Sequence, residues 1–337
     1  MTTSKELVET ALRRETVDRI PFCAPQGSWA LELSGVSLMD SINNPKLAAS
    51  AQFKVVDECH MDAFDAMWDW LMPVEAMGCK VKIPEFGTIP TISHIVKDPS
   101  DLDKLELPDI RNFYRYKAAE ETAGHISDVH GKDRFLVAGL LSPFTLAGEL
   151  RGVDNMMVDC FMDEDFVHAL VKESLEVLKA FTEEIVKWDV DAVTVCDPTA
   201  SGDLVSAADF EKFSKGPMKD LGKIIKKSGK IFINHTCGDT SDRLAAVAET
   251  GCDAFSLDVA VDVGNAVKQV GDRMAIIGNI DPVGIIYSGT PDAVRKDTLK
   301  CLERGGKRGY VLGTGCDIPL GSSLENVRAI SDVSMKF

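Results

Sequence analysis

The sequence predicts an α/β fold, a (β/α)8 TIM barrel, and three observations predict it. Eight short apolar runs punctuate the chain, separated by longer stretches whose apolar residues recur at helical spacing. Runs such as 192–196 (AVTVC) and 275–278 (AIIG) are apolar nearly throughout, as parallel strands covered on both faces require. Eight βα units also exceed the five or six strands usual in a doubly wound sheet, and no glycine-rich turn follows the first run.

Taken in order, Thr3 and Glu6 have capping-box spacing, and Leu7, Val8, Ala11 and Leu12 supply one apolar face, so an N-terminal helix is expected. The run 18–25 (DRIPFCAP) carries prolines at its ends and suits a buried strand over 20–24. The remaining expected strands are 63–68, 135–140, 192–196, 230–234, 254–257, 275–278 and 310–313. Helical patterns fall between them, as in 165–188 and in 239–251, which ends on the capping glycine Gly251. The stretch 70–134 is too long for one βα unit and reads as an insertion over the barrel mouth. Within it, 79–94 (CKVKIPEFGTIPTISH) has the pattern of a hairpin with a Gly-containing turn. No repeat beyond the βα unit and no low-complexity linker stands out, so residues 1–337 are expected to form a single barrel domain.

A composition of 45% hydrophobic and 27% charged residues is that of an ordinary globular chain with ample core material. The net charge of -16 excludes a nucleic-acid backbone as partner, because binding phosphates along a strand needs a basic surface. Nine cysteines spread along the chain do not form the dense pattern of a disulfide scaffold. The first residues (MTTSKELVETALRRE) lack the apolar core of a signal peptide, and no apolar run reaches the length of a membrane span. The chain reads as cytoplasmic and soluble, without a membrane partner.

The strongest local signal for chemistry is 231–238 (IFINHTCG), a strand-like run ending in His235 and Cys237 and turning on Gly238. Side chains at i and i+2 of an extended segment point the same way, so imidazole and thiolate can reach one ion. A third soft donor is Cys316, in 313–319 (GTGCDIP) just after the last strand-like run, 79 residues from Cys237. In a barrel the C-terminal strand ends share one face, so that distance is no obstacle. One imidazole and two thiolates favour Zn²⁺, and three protein ligands leave a fourth position open. An isolated H-x-C with a remote Cys also describes a buried histidine and core cysteines; the placement at strand ends beside glycines weighs toward ligation.

Asp258, ending the run AFSLD, suits either a fourth, exchangeable ligand or an acceptor orienting His235, and equally a helix N-cap. Asp197, in CDPTASGDLVS, reads as pocket wall. Cys196 and Cys252 read as core thiols, and His60, His94, His125, His130 and His168 receive no role. The GTG at 313–315 lacks the third glycine of a dinucleotide fingerprint and suits close backbone approach around Cys316.

With these segments in view, the whole chain resembles the uroporphyrinogen decarboxylase superfamily. The resemblance rests on IPF, SPFTLAGEL (142–150), AVTVCDPTASGDLVS (192–206), INHTCGD, IGNIDPVGIIYSGT (277–290) and GTGCDIPLGSSLENVRA. It is strongest with the zinc-dependent branch that holds the methylcobamide:coenzyme M methyltransferases, whose H-x-C and distant Cys correspond to His235, Cys237 and Cys316. The resemblance implies a (β/α)8 barrel and transfer of a methyl group from a methylated corrinoid protein to a zinc-bound thiol such as coenzyme M. No DxHxxG-type cobalamin-binding segment is visible, so the methylcobalamin is expected on a separate corrinoid protein. Three other readings stand beside it: a first-step methyltransferase loading the corrinoid protein, a decarboxylase-type lyase, and a non-catalytic barrel with a structural zinc. Against the lyase, the family's decarboxylases carry arginines just after the first strand, whereas no arginine lies between Arg19 and Arg111 here.

Overall fold

The computed structural model describes residues 2–67 and 69–337. Thr3 caps helix α1 (Ser4–Leu12) by the expected reciprocal bonds with Glu6, and the buried face is Leu7, Val8, Ala11 and Leu12. Among the described residues nine strands follow in chain order: β1 (Ala63–Asp65), β2 (Lys80–Val81), β3 (Thr91–Ser93), β4 (Phe135–Leu141), β5 (Ala192–Cys196), β6 (Ile231–Thr236), β7 (Ala254–Leu257), β8 (Ala275–Ile277) and β9 (Tyr310–Val311). Seven of them form one sheet in the order β1-β4-β5-β6-β7-β8-β9. Every pairing in it is parallel. Parallel neighbours need crossovers, and helices such as Glu164–Ile185, between β4 and β5, supply them.

The sheet is a curled, TIM-barrel-like α/β arrangement with seven laddered strands where the sequence predicts eight. The expected strand at 20–24 makes one bridge, Phe22 with Leu312. The segment nevertheless touches both edges of the sheet. Cys23 N donates to Leu312 O at 2.9 Å, Leu312 N to Pro21 O at 2.9 Å, and Asp62 N to Phe22 O at 2.8 Å. Pro21 and Pro25 lack the N–H groups that would extend a ladder in either direction, so the segment stays too short for a strand. The expected strand at 63–68 ends at Asp65, and Trp68 lies outside the described residues.

The expected hairpin is present as the antiparallel pair β2 and β3. Thr91 Oγ1 donates to Glu149 Oε2 at 2.6 Å, His94 Nδ1 lies 2.7 Å from Glu149 O, and Leu38 N donates to Glu85 O at 2.8 Å. The helix Tyr114–His130 is anchored by Arg115, whose wholly buried guanidinium pairs with Asp69 and, at 2.9 Å, with Glu75. One apolar cluster runs from Leu7 to Ile330 and takes in both strands and helices. Val8 and Leu12 of α1 line a cavity of 80 Å³ together with the strand residues Phe135, Thr194 and Ile233 and with His235. No helix among the described residues is long and apolar enough to cross a membrane.

Candidate metal centre

β6 sits between β5 and β7, with His235 in register with Cys196 on one side and Ser256 on the other. His235 is the next-to-last residue of β6, and Cys237 follows the strand's end. Cys316 lies in the loop after β9, beyond Gly313 and Gly315. A Cβ on Gly315 would stand 2.8 Å from Val259 N, so only glycine lets this loop press against the β7 end. That is the close backbone approach the sequence predicts around Cys316.

The fold brings His235, Cys237 and Cys316 together: one donor atom from each lies within 4.8 Å of the others. His235 Nε2 is 3.3 Å from Cys237 Sγ, and the two sulfurs are 3.7 Å apart. A tetrahedral zinc with ordinary bond lengths separates two sulfur ligands by ~3.8 Å and nitrogen from sulfur by ~3.6 Å. The donor set therefore fits the ion in both element and spacing. His235 Nδ1 lies 3.2 Å from Ser256 O and 3.1 Å from Ser256 Oγ. A proton on Nδ1 satisfies that carbonyl and leaves the Nε2 lone pair facing the sulfurs.

The two thiols divide their protons unequally. Hydrogen bonding from Cys237, reinforced by His235, holds Cys316 down to about 4, against an ordinary 9.0 and against its burial. The Cys316 thiolate in turn, with burial, pushes Cys237 far up. Burial alone would lower His235, but the bond and charge of Cys316 raise it. The protein thus presents one ready thiolate and one thiol that a cation must deprotonate.

The structure places the other candidates as follows. Asp258 is outside the three-residue cluster: its Oδ1 accepts from Ala260 N at 3.0 Å, and Asn279 Nδ2 donates to its carbonyl at 2.8 Å. It caps no helix; Asp262 caps the helix Val263–Val270. Asp197, expected in a pocket wall, is instead fully buried in a polar knot. Its carboxylate accepts from Ser142 Oγ at 2.5 Å, from Thr145 Oγ1 at 2.9 Å and from Ser214 Oγ. Three hydroxyls, two from the helix after β4 and its cap and one from Ser214, make this a structural tie. Cys196 and Cys252 are buried core thiols, the latter against Met274 Sδ at 3.5 Å.

Two carboxyls near the centre were not singled out from the sequence. Asp65, at the end of β1, is nearly buried and lines the cavity with His235. Burial, followed by the charge of Asp317, pushes it up to about 8. Asp317 is raised to about 7 by its depth among protein atoms and by Cys316, yet its side chain is open to water, which moderates the shift. Ser256, the partner of His235, was also missed. Asp65 and Ser256 lie within strand-like runs and Asp317 shortly after one, but a lone Asp or Ser there carries no spacing signal.

Comparison with known proteins adds four findings. The family model described as Uroporphyrinogen decarboxylase (URO-D) matches residues 3–337. The chain is 30% identical over 324 residues to the methylcobamide:CoM methyltransferase MtbA of Methanosarcina mazei, covering 94% of this chain and 93% of that relative. It is 27% identical over 334 residues to the uroporphyrinogen decarboxylase of Chlorobium limicola, covering 92% and 91%. In fold it matches a solved methyltransferase from Methanosarcina mazei with a TM-score of 0.90 at 24% identity, over 100% of this chain and 99% of that one.

Proposed function

The chain belongs to the uroporphyrinogen decarboxylase family, and from that premise we propose that it is a zinc-dependent methyltransferase. It takes a methyl group from a methylated corrinoid carried on a separate protein and delivers it to a zinc-bound thiol such as coenzyme M. Residues 1–337 act as one barrel domain in this reading, with 70–134 as an insertion over the mouth. The observation that carries it is the three-donor cluster of His235, Cys237 and Cys316, with sulfurs 3.7 Å apart at the ends of β6 and β9. Relatives named for corrinoid and thiol substrates over nearly the whole chain support it.

Bound between these donors, zinc supplies the Lewis acidity that lets a substrate thiol enter as thiolate near neutral pH. The protein's own part is to hold that site. Ser256 fixes the ring of His235, Cys316 offers a thiolate in advance, and Cys237 gives up its proton when the cation enters. Two cysteine thiolates offset the ion's charge, so an incoming sulfur keeps electron density for attack on a methyl group. Asp258 lies outside the three donors but adds negative charge near Cys237, and in this reading it serves either as a fourth ligand that substrate displaces or as a charge behind the donors.

The test is methyl transfer from methylcobalamin to a panel of thiols, including coenzyme M and homocysteine, with the zinc-loaded protein. We expect at least one thiol to be methylated and cob(I)alamin to appear in step with it. If no thiol is methylated while zinc is bound at about one per chain, the reading fails. Methylation of the corrinoid from a small methylated donor, without the thiol reaction, would mean the first-step enzyme instead.

A further inference from the structure

The end of the sheet opposite the candidate metal centre carries a second cavity, of 490 Å³. It lies where α1 ends and where β6, β7 and β8 begin. Its walls include Arg13, Arg14, Lys226, Lys230 and Arg273, with Glu15 and Asp253 as the carboxylates. Five cations gathered in one recess are unexpected in a chain whose net charge is -16.

The carboxylates are already engaged. Asp253 accepts from Lys226 Nζ at 2.8 Å and from Phe232 N at 2.9 Å, and Glu15 faces Arg13 at 3.7 Å. Arg14, Lys230 and Arg273 have no carboxylate within ion-pair distance among the described residues. Lys230 is held by two carbonyls, Trp188 O at 2.9 Å and Val190 O at 2.6 Å; Asp191 nearby is taken up by Lys5 at 2.6 Å. The Arg14 guanidinium is fixed to Asp272 O, beside Arg273, and its backbone carbonyl accepts from Arg308 Nε at 3.1 Å.

Arg14 also has φ +62°, left-handed backbone that a non-glycine residue adopts at a cost. The guanidinium is held at the recess by its bond to Asp272 O. The Arg14 fork and the Lys230 ammonium, each tied to backbone carbonyls, and the exposed Arg273 fork have no carboxylate within ion-pair distance among the described residues. Together they match a ligand with several oxygens and about three negative charges. The recess is broad and partly open to solvent, so a ligand larger than a single oxyanion can enter it.

We propose that this recess binds a diphosphate-bearing small molecule, with Arg14, Lys230 and Arg273 as its anchors. The site is independent of the metal centre, though Lys230 immediately precedes β6, the strand that ends at His235. The diphosphate is the recognised chemistry, and its source is either inorganic pyrophosphate or a nucleoside diphosphate.

The test is calorimetric titration of the metal-loaded full chain with pyrophosphate and, separately, ADP at constant ionic strength. We expect one saturable site per chain; tighter ADP binding identifies a nucleotide as the source, and equal binding identifies the diphosphate group alone. Arg14→Gly removes the cation and suits the left-handed backbone, so it should fold normally and bind at least about tenfold more weakly. Arg273→Ala should do the same, while Arg295→Ala, elsewhere on the surface, should bind as the parent does. Absence of saturable binding to both probes overturns the proposal. So does binding that neither Arg14→Gly nor Arg273→Ala weakens, or a change of oligomeric state with Arg273→Glu and no pyrophosphate site in the parent.

Discussion

His235 meets the candidate centre with its Nδ1 already engaged by Ser256, so the geometry of the donor set is decided before any ion arrives. Removing one of three donors leaves two, too few for a tight site. His235→Ala, Cys237→Ala and Cys316→Ala proteins are therefore each expected to carry well under one zinc per chain after dialysis, as elemental analysis would reveal. Full zinc in all three would dispose of the assignment. Asp65 makes a prediction of the opposite kind. Its carboxyl is raised from 3.8 to about 8, so the folded state binds the proton more tightly than the unfolded chain does. Stability from this group is then complete at low pH and is lost as pH climbs from about 4 to about 8, by at most about 6 kcal/mol. Asp65→Asn should accordingly gain stability over the parent at pH 8 and gain none at pH 4.5, measured by denaturant unfolding at each pH. Equal differences at the two values would show that the carboxyl is not perturbed.

Among the elements, the helix Tyr114–His130 depends on a buried charge. Arg115 is fully enclosed and bonded to Asp69 and Glu75, and deleting it leaves Asp69 buried without its counter-charge. Arg115→Ala is expected to cost about 3–5 kcal/mol. The unfolding midpoint in urea measures this, and a loss below about 1 kcal/mol would mean that water reaches the site. The short segment around Phe22 teaches the converse. Hydrophobic pattern marked it as a strand, and it does lie between β9 and β1, but its prolines leave it with a single bridge. Pattern places a segment; donors decide whether it joins the ladder.

For the molecule as a whole, the apolar cluster that runs from α1 to the last helix includes none of the three donor residues. The barrel-like core is thus built without the metal. Chelation is expected to lower the melting temperature by a few degrees and to abolish methyl transfer, while the far-UV circular dichroism stays that of the loaded protein. Unfolding on chelation would recast the centre as structural.

Much of this was legible in the chain. Uninterrupted apolar runs such as AVTVC can only be satisfied between two covered faces, and that made a parallel sheet with helical crossovers readable from 192–196 or 254–257 alone. The i, i+2 spacing of His235 and Cys237 is a local property of extended backbone and was equally readable. Joining Cys316 to them needed the resemblance or the fold, since 79 residues separate it from Cys237 and only the sheet returns it to the same end. Ser256, Asp65 and the true setting of Asp197 were beyond reach, because each is defined by a neighbour on an adjacent strand or loop. The same holds for the basic recess, whose cations come from the end of α1, from the helix Lys215–Lys227 and from just before β6 and β8. Local pattern determines which face a side chain takes along its own segment. Which other side chain meets it there is a product of strand order and register, and that only the tertiary structure decided.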